Sequence, residues 1–272
     1  METTKILYIA QEITPYVAES EIASLCRSLP LAIQDKGKEI RLFMPKFGGI
    51  NERRNQLHEV IRLSGLNIVI DDTDHPLIIK VASIPAAHMQ VYFIDNDDYF
   101  VRKGISKDAA TGEDFPDNDE RMIFFIRGVM ETVKKLRWAP DIIHCHGWMT
   151  SVVPLYVKTA YKDDTFFKNS KIVTSLYNEG FESPFSDKFG NNVLIDGVAK
   201  KDVKQVAGKS ITCNELLKFA LDYSDAAIQG SPELPADLLA YAQSKVQHFL
   251  GYQSPEDRVD AYNAFYDEIL KK

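Results

Sequence analysis

A chain of 272 residues with 45% hydrophobic and 26% charged residues has enough apolar material to bury a full core, which excludes a disordered or fibrous class. Its formal net charge is −7 with no basic run, which argues against binding a nucleic-acid backbone. No stretch of eighteen apolar residues occurs, so no membrane span is expected.

The N-terminus, Met1 to Lys5, lacks the basic start, apolar core and cleavage site of a signal peptide, so a cytoplasmic location is expected. Lys5 to Ala10 is a short apolar run, the pattern of a strand buried on both faces. A polar loop follows from Gln11 to Glu19. Ile22, Leu25, Cys26, Leu29 and Ile33 then recur at helical spacing up to a stop at Asp35-Lys36-Gly37. Ile40 to Met44 is strand-like again, giving a βαβ unit and a parallel sheet.

Residues 45–100 change character. His58 to Leu63, Leu66 to Ile70, Leu77 to Ser83 and Met89 to Ile94 are short strand candidates, with Asp71, Asp72 and Pro85 among the breaks. Strands this close together suggest antiparallel pairing, an insertion over about 56–95. The α/β rhythm then resumes. Helices are expected over Asn118 to Arg137, Thr150 to Ala160, Ile211 to Leu221, Ala236 to Leu250 and Pro255 to Leu270. Strands are expected over Asp141 to Cys145, Lys171 to Leu176 and Asp225 to Gln229, and residues 180–210 as loop. The last helix, about 254–271, has Ser254 to cap it and Pro255 at its first position. Cys26, Cys145 and Cys213 show no CxxC spacing and fit buried free thiols in a reducing compartment.

With no repeat or linker, residues 1–272 form a single unit: an open, doubly wound, Rossmann-like α/β parallel sheet with a small antiparallel β insertion. Ligands of such sheets bind outside the carboxyl ends of the strands. That directs attention to Gln11–Glu21, His144–Thr150 and Thr174–Gly180. The first loop has no glycine to let backbone N–H groups approach an anion, and Glu19 and Glu21 stand where the anion would go. His144 and His146 share a strand face, but no third ligand has a recognisable spacing, so no metal and no cofactor is expected. Trp148, just past a strand end, is either a sugar-stacking ring or core. No Ser/His/Asp constellation, GxSxG, HExxH or P-loop occurs.

At these three places together the sequence resembles the N-terminal half of ADP-glucose-type glycogen and starch synthases, glycosyltransferases of the GT-B fold. Glu12, Pro15, Tyr16, Ile22, Ala23, Leu29 and Pro30 keep the frame of the family's opening Glu-x-x-Pro-Phe loop and helix. Lys46-Phe47-Gly48 is similar to its segment after the second strand, and Asp117, Asn118 and Arg121 to its Asp-Asn-x-x-Arg element. The run from Pro140 to Lys158 matches the family's Pro-Asp-Val-Val-His-Ala-His-Asp-Trp-His-Thr stretch through Pro-Leu-Tyr-Leu-Lys. The likeness covers most of residues 4–240.

The departures from that frame concern chemistry. The family's Lys-Thr-Gly-Gly, which it uses at the nucleotide-sugar phosphates, is replaced by Ala18-Glu19-Ser20-Glu21. Gly147 and Met149 stand for an acid and a histidine, and Tyr177 for another histidine. The chain also stops near where the family's second Rossmann-like domain would begin. A leaving diphosphate needs cationic stabilisation, and two added acids do the opposite. The resemblance therefore implies a protein of glycogen or α-glucan metabolism that is not a transferase by itself. It would bind glucan, partner a full-length synthase, or associate with itself. The alternatives are an active glucosyltransferase completed by a second chain, and an interaction domain with no carbohydrate role. For a surviving glucan site the candidates are Glu12, Tyr16, Asp117, Asn118, His146, Trp148 and Thr150, with Trp148 stacking and the others bonding hydroxyls.

Overall fold

The computed structural model describes residues 3–84 and 89–271. Pro85, expected as a strand break, lies outside them. β1 (Lys5–Ala10) is followed by α1 (Glu21–Asp35). The helix begins there because extended Ser20 accepts the N–H of Ala23 on its hydroxyl. Glu21, in the first turn, suits the positive end of the dipole. Ile22, Leu25, Cys26, Leu29 and Ile33 form its buried stripe, as their spacing predicts. β2 (Glu39–Pro45) pairs parallel with β1.

Next come β3 (His58–Glu59), β4 (Asn67–Ile70), β5 (Thr73–Pro76), β6 (Ile78–Ile84) and β7 (Met89–Asp95). The strand expected over 58–63 shrinks to two residues, because Leu63 and Ser64 turn back to donate to the carbonyl of Val60. No strand is expected over 73–76. β5 forms there by pairing with β4 around Asp71 and Asp72, both at positive φ, and this hairpin stands apart as a second sheet. β7 rejoins the parallel frame beside β2, and β6 and β3 continue the same sheet antiparallel.

The rest is α2 (Asp97–Phe100), α3 (Asn118–Lys135), β8 (Ile142–His146), a 3-10 turn (Trp148–Thr150) and α4 (Val153–Lys158). Then follow β9 (Lys171–Leu176), α5 (Phe189–Asn192), α6 (Cys213–Asp222), β10 (Ala226–Gln229), α7 (Ala236–Lys245), β11 (His248–Leu250) and α8 (Arg258–Ile269). The helix expected over 150–160 is thus a 3-10 turn plus a short helix with proline in its first turn. That expected over 236–250 ends at Lys245. Val246 turns extended, and residues 248–250 pair with β10. α8 starts three residues later than Pro255, because the Ser254 carbonyl accepts the N–H groups of both Asp257 and Arg258 in a preceding turn.

The main sheet has nine strands in the order β11-β10-β9-β8-β1-β2-β7-β6-β3. From β1 the order runs outward through β2 on one side and β8 on the other, so the crossover reverses between β1 and β8. α1 and α8 lie side by side on the face that carries Tyr8 and His144, and Tyr262, Phe265, Tyr266 and Ile269 of α8 are buried there. Ile94 and Leu176 point to the other face, against α3 and α6. Among the described residues no helix is long and apolar enough to cross a membrane.

Candidate functional site

In an open α/β sheet the crevice lies where the strand order reverses, here at the carboxyl ends of β1 and β8. The chain closes that crevice on itself. Gln11 N donates to the carbonyl of His146 at 3.0 Å, and the Gln11 side chain fills the gap above Gly147. A Cβ on Gly147, whose φ is +87°, would stand 2.7 Å from the Gln11 Cβ. Glu12 has both oxygens engaged: Gln11 Nε2 donates to one at 2.6 Å and Ser20 Oγ to the other at 2.7 Å. The Ser20 hydroxyl is also the helix cap. The stretch Ala18 to Glu21 therefore builds the start of α1. Glu21 accepts from the hydroxyl of Ser231, which itself accepts the N–H of Asn178 at 3.0 Å.

Beneath this loop lies a buried layer of rings. The Tyr266 hydroxyl of α8 sits 2.7 Å from the Tyr8 hydroxyl and 2.6 Å from His144 Nδ1. His144 Nε2 lies 2.8 Å from Ser175 Oγ. His146 Nδ1 lies 2.7 Å from the Tyr177 hydroxyl, while its Nε2 is buried with no partner among the described residues. Burial pushes the His146 pKa down to about 3 and holds His144 well below its usual range, so both rings are neutral at physiological pH. The Tyr177 ring stops above His146 and leaves no room for a side chain at Gly230, where a Cβ would stand 2.5 Å from its Cε1. The expected role of His146 at a sugar hydroxyl therefore meets a covering tyrosine.

The other candidates are woven into the scaffold. Trp148 is 3% exposed, with the rings of Phe181 and Phe185 at 5.1 and 6.0 Å, so it is core and presents no free face for stacking. Met149 is fully buried, and Thr150 turns its hydroxyl onto the Gly147 carbonyl at 2.7 Å. Tyr16 packs edge-on against Phe93. Asp117 takes both arms of Arg102, and Asn118 donates to the Ser106 carbonyl at 2.8 Å and accepts from Arg121. Arg121 is a buried guanidinium that forms no ion pair among the described residues, with Asp117 the charge of opposite sign that acts on it. It donates to the carbonyls of Tyr99, Gly104 and Ile105 and lies against Phe115, and so fixes the loop that follows α2. The Asp-Asn-x-x-Arg element is a loop clamp.

What remains open at this end of the sheet is a cleft of about 330 Å³ lined by Glu21, Asn178, Glu179, Ser231, Pro232 and Glu233. It adjoins a second of about 350 Å³, where Tyr177, Phe181, Cys213, Leu217 and Leu238 add apolar walls. Among the described residues no lysine or arginine lines either one. Burial and the charges of Glu12 and Glu21 push the Glu179 pKa up to about 7. Carboxylates, an amide and a hydroxyl can accept from and donate to sugar hydroxyls; the same carboxylates repel a diphosphate. Ser231 and Glu233 are absent from the sequence-derived candidates. The strand-end rule that led to the loops after β1, β8 and β9 applies equally to the turn after β10, and there it points to them.

A family model described as the starch synthase catalytic domain matches residues 5–250. A glycogen synthase from Chlorobium luteolum (strain DSM 273 / BCRC 81028 / 2530) is 42% identical over 174 residues, covering 64% of this chain and 36% of that protein. One from Chlorobaculum parvum (strain DSM 263 / NCIMB 8327) is 33% identical over 281 residues, covering 98% of this chain and 56% of its own length. The chain thus spans between about a third and just over half of these relatives. The solved catalytic domain of Starch Synthase IV from Arabidopsis thaliana, bound to ADP and acarbose, superposes with a TM-score of 0.73 at 19% identity, over 93% of this chain and 52% of that one.

Proposed function

The chain belongs to the glycogen and starch synthase family of GT-B glycosyltransferases, and on that premise we propose that it binds α-glucan without itself transferring glucose. One observation carries this function: the open clefts at the carboxyl ends of the strands are lined by Glu21, Glu179, Glu182 and Glu233, and among the described residues no lysine or arginine lines them. A glucan chain is neutral and rich in hydroxyls, and suits such a wall. A nucleotide sugar brings a diphosphate that two carboxylates at about 4 Å would each oppose by ~1 kcal/mol in water and more in a drier cleft. The family's phosphate-binding Lys-Thr-Gly-Gly position is occupied by a helix cap flanked by Glu19 and Glu21. His146, neutral and capped by Tyr177, is not placed to move a proton. These features lie inside the chain and do not depend on where it ends.

Calorimetric titration with maltoheptaose, ADP and ADP-glucose tests the proposal. Heat with maltoheptaose and none with either nucleotide is the expected result. Transfer of glucose from ADP-glucose to glycogen by the purified protein overturns it. The match to full glycogen synthases favours a second reading, a transferase completed by another chain. It requires ADP-glucose binding or glucose transfer by the mixture beyond that of the second chain alone, and the absence of any such excess removes it. A synthase partner whose own nucleotide binding is unchanged by this chain fits the first reading.

A further inference from the structure

A cavity of about 700 Å³ opens at the opposite end of the sheet, below the amino ends of β1, β8 and β9. Its charged lining is Lys158, Lys168, Lys171 and Lys271 against Asp141 alone. On a chain of net charge −7 this is a local reversal of sign. These lysines come from α4, the turn before β9, the start of β9 and the end of α8, so no basic run announces them.

Two of the charges are already committed. Lys158 Nζ donates to Asp225 at 2.6 Å, and Asp141 accepts the backbone N–H of Lys5 at 2.8 Å. Lys168, Lys171 and Lys271 have no carboxylate partner among the described residues, and Lys168 and Lys271 are exposed. Thr3, Thr4 and Asn169 add hydroxyl and amide groups to the same wall. Ammonium groups are compact point charges that bind phosphate well, and the volume falls in the range of small-ligand sites.

We infer that this cavity is an anion site for a small molecule carrying two or more phosphoryl groups, separate from the glucan cleft. Like charges left unpaired around one concavity repel each other, and a polyvalent anion relieves that repulsion in one step. A monovalent anion answers only one of them. The site lies at the far end of the sheet and shares no lining residue with the carboxyl-end clefts.

The test uses inorganic pyrophosphate as the probe, by calorimetry at low ionic strength, with wild type and the double variant Lys168→Glu, Lys271→Glu. Wild type is expected to bind, the double variant at least about tenfold more weakly, and binding is expected to weaken as salt is raised. Maltoheptaose binding should be the same in both proteins, which separates this site from the glucan cleft. Equal pyrophosphate affinity in the two proteins, or no heat with wild type at about millimolar pyrophosphate, overturns the proposal. Far-ultraviolet circular dichroism checks the fold. If the reversal variant does not fold, the Lys168→Met, Lys271→Met pair carries the same comparison.

Discussion

At the scale of single residues, two acids of raised pKa make stability depend on pH. Asp119 is 4% exposed, and burial raises its pKa to about 6 from 3.8, against the lowering bond from Asn192. A folded-state pKa raised above the unfolded one means that the native state holds the proton more tightly. The favourable contribution is whole below about pH 4 and is lost as pH rises through 6. Asp119→Asn keeps an acceptor for Asn192 and should be more stable than wild type by about 1–3 kcal/mol at pH 8, a gain that fades toward pH 4, read from urea unfolding at several pH values. Glu179 follows the same sign with its pKa at about 7. Its side chain reaches solvent in the cleft, so only the trend is expected: Glu179→Gln raises Tm more at pH 8 than at pH 5.

At the scale of elements, the Tyr266 hydroxyl ties α8 to two strands of the sheet, beside the buried side chains of Tyr262, Phe265 and Ile269. Tyr266→Phe leaves Tyr8 and His144 Nδ1 buried without that partner, and should cost about 1–3 kcal/mol by chemical denaturation with no change in helix content. Arg121→Lys cannot reach the carbonyls of Tyr99, Gly104 and Ile105 together, so it should cost about 3 kcal/mol or more and expose residues 101–116 to proteolysis. Local signals made some elements readable. The stripe from Ile22 to Ile33 and the apolar run from Lys5 to Ala10 announce α1 and β1 because each buries a face set by its own period. β5 has no apolar alternation and exists through its pairing with β4, so nothing local reveals it. β11 reads as the end of a helix for the same reason. The candidate site was legible only in part. Trp148 follows a strand end and Asp117 and Asn118 stand at the start of α3, and sequence cannot tell a ligand contact from core packing or a loop clamp. Ser231 and Glu233 reach the cleft only because β10 lies beside β9.

At the scale of the molecule, a main buried core runs from β1 outward to both sides of the sheet, with a smaller cluster around Leu176, Leu217 and Leu238 beside it. The two tryptophans report its two ends. Trp138 donates to Glu39 near the amino ends of the strands, and Trp148 lies at the carboxyl ends. Urea unfolding followed by tryptophan fluorescence and by circular dichroism should give coincident midpoints, and separate midpoints would show that the halves of the sheet melt independently.

The fit of Tyr177 against Gly230 has a consequence for the order in which substitutions can be made. A ring that occupies the space of a missing side chain, and that hydrogen-bonds to His146, ties three positions into one unit. Tyr177→His alone leaves a hole beside Gly230 and removes the hydroxyl that meets His146, while a side chain at 230 clashes for as long as the ring is in place. Substitutions at the three positions are therefore non-additive, each tolerated or not according to what stands at the other two.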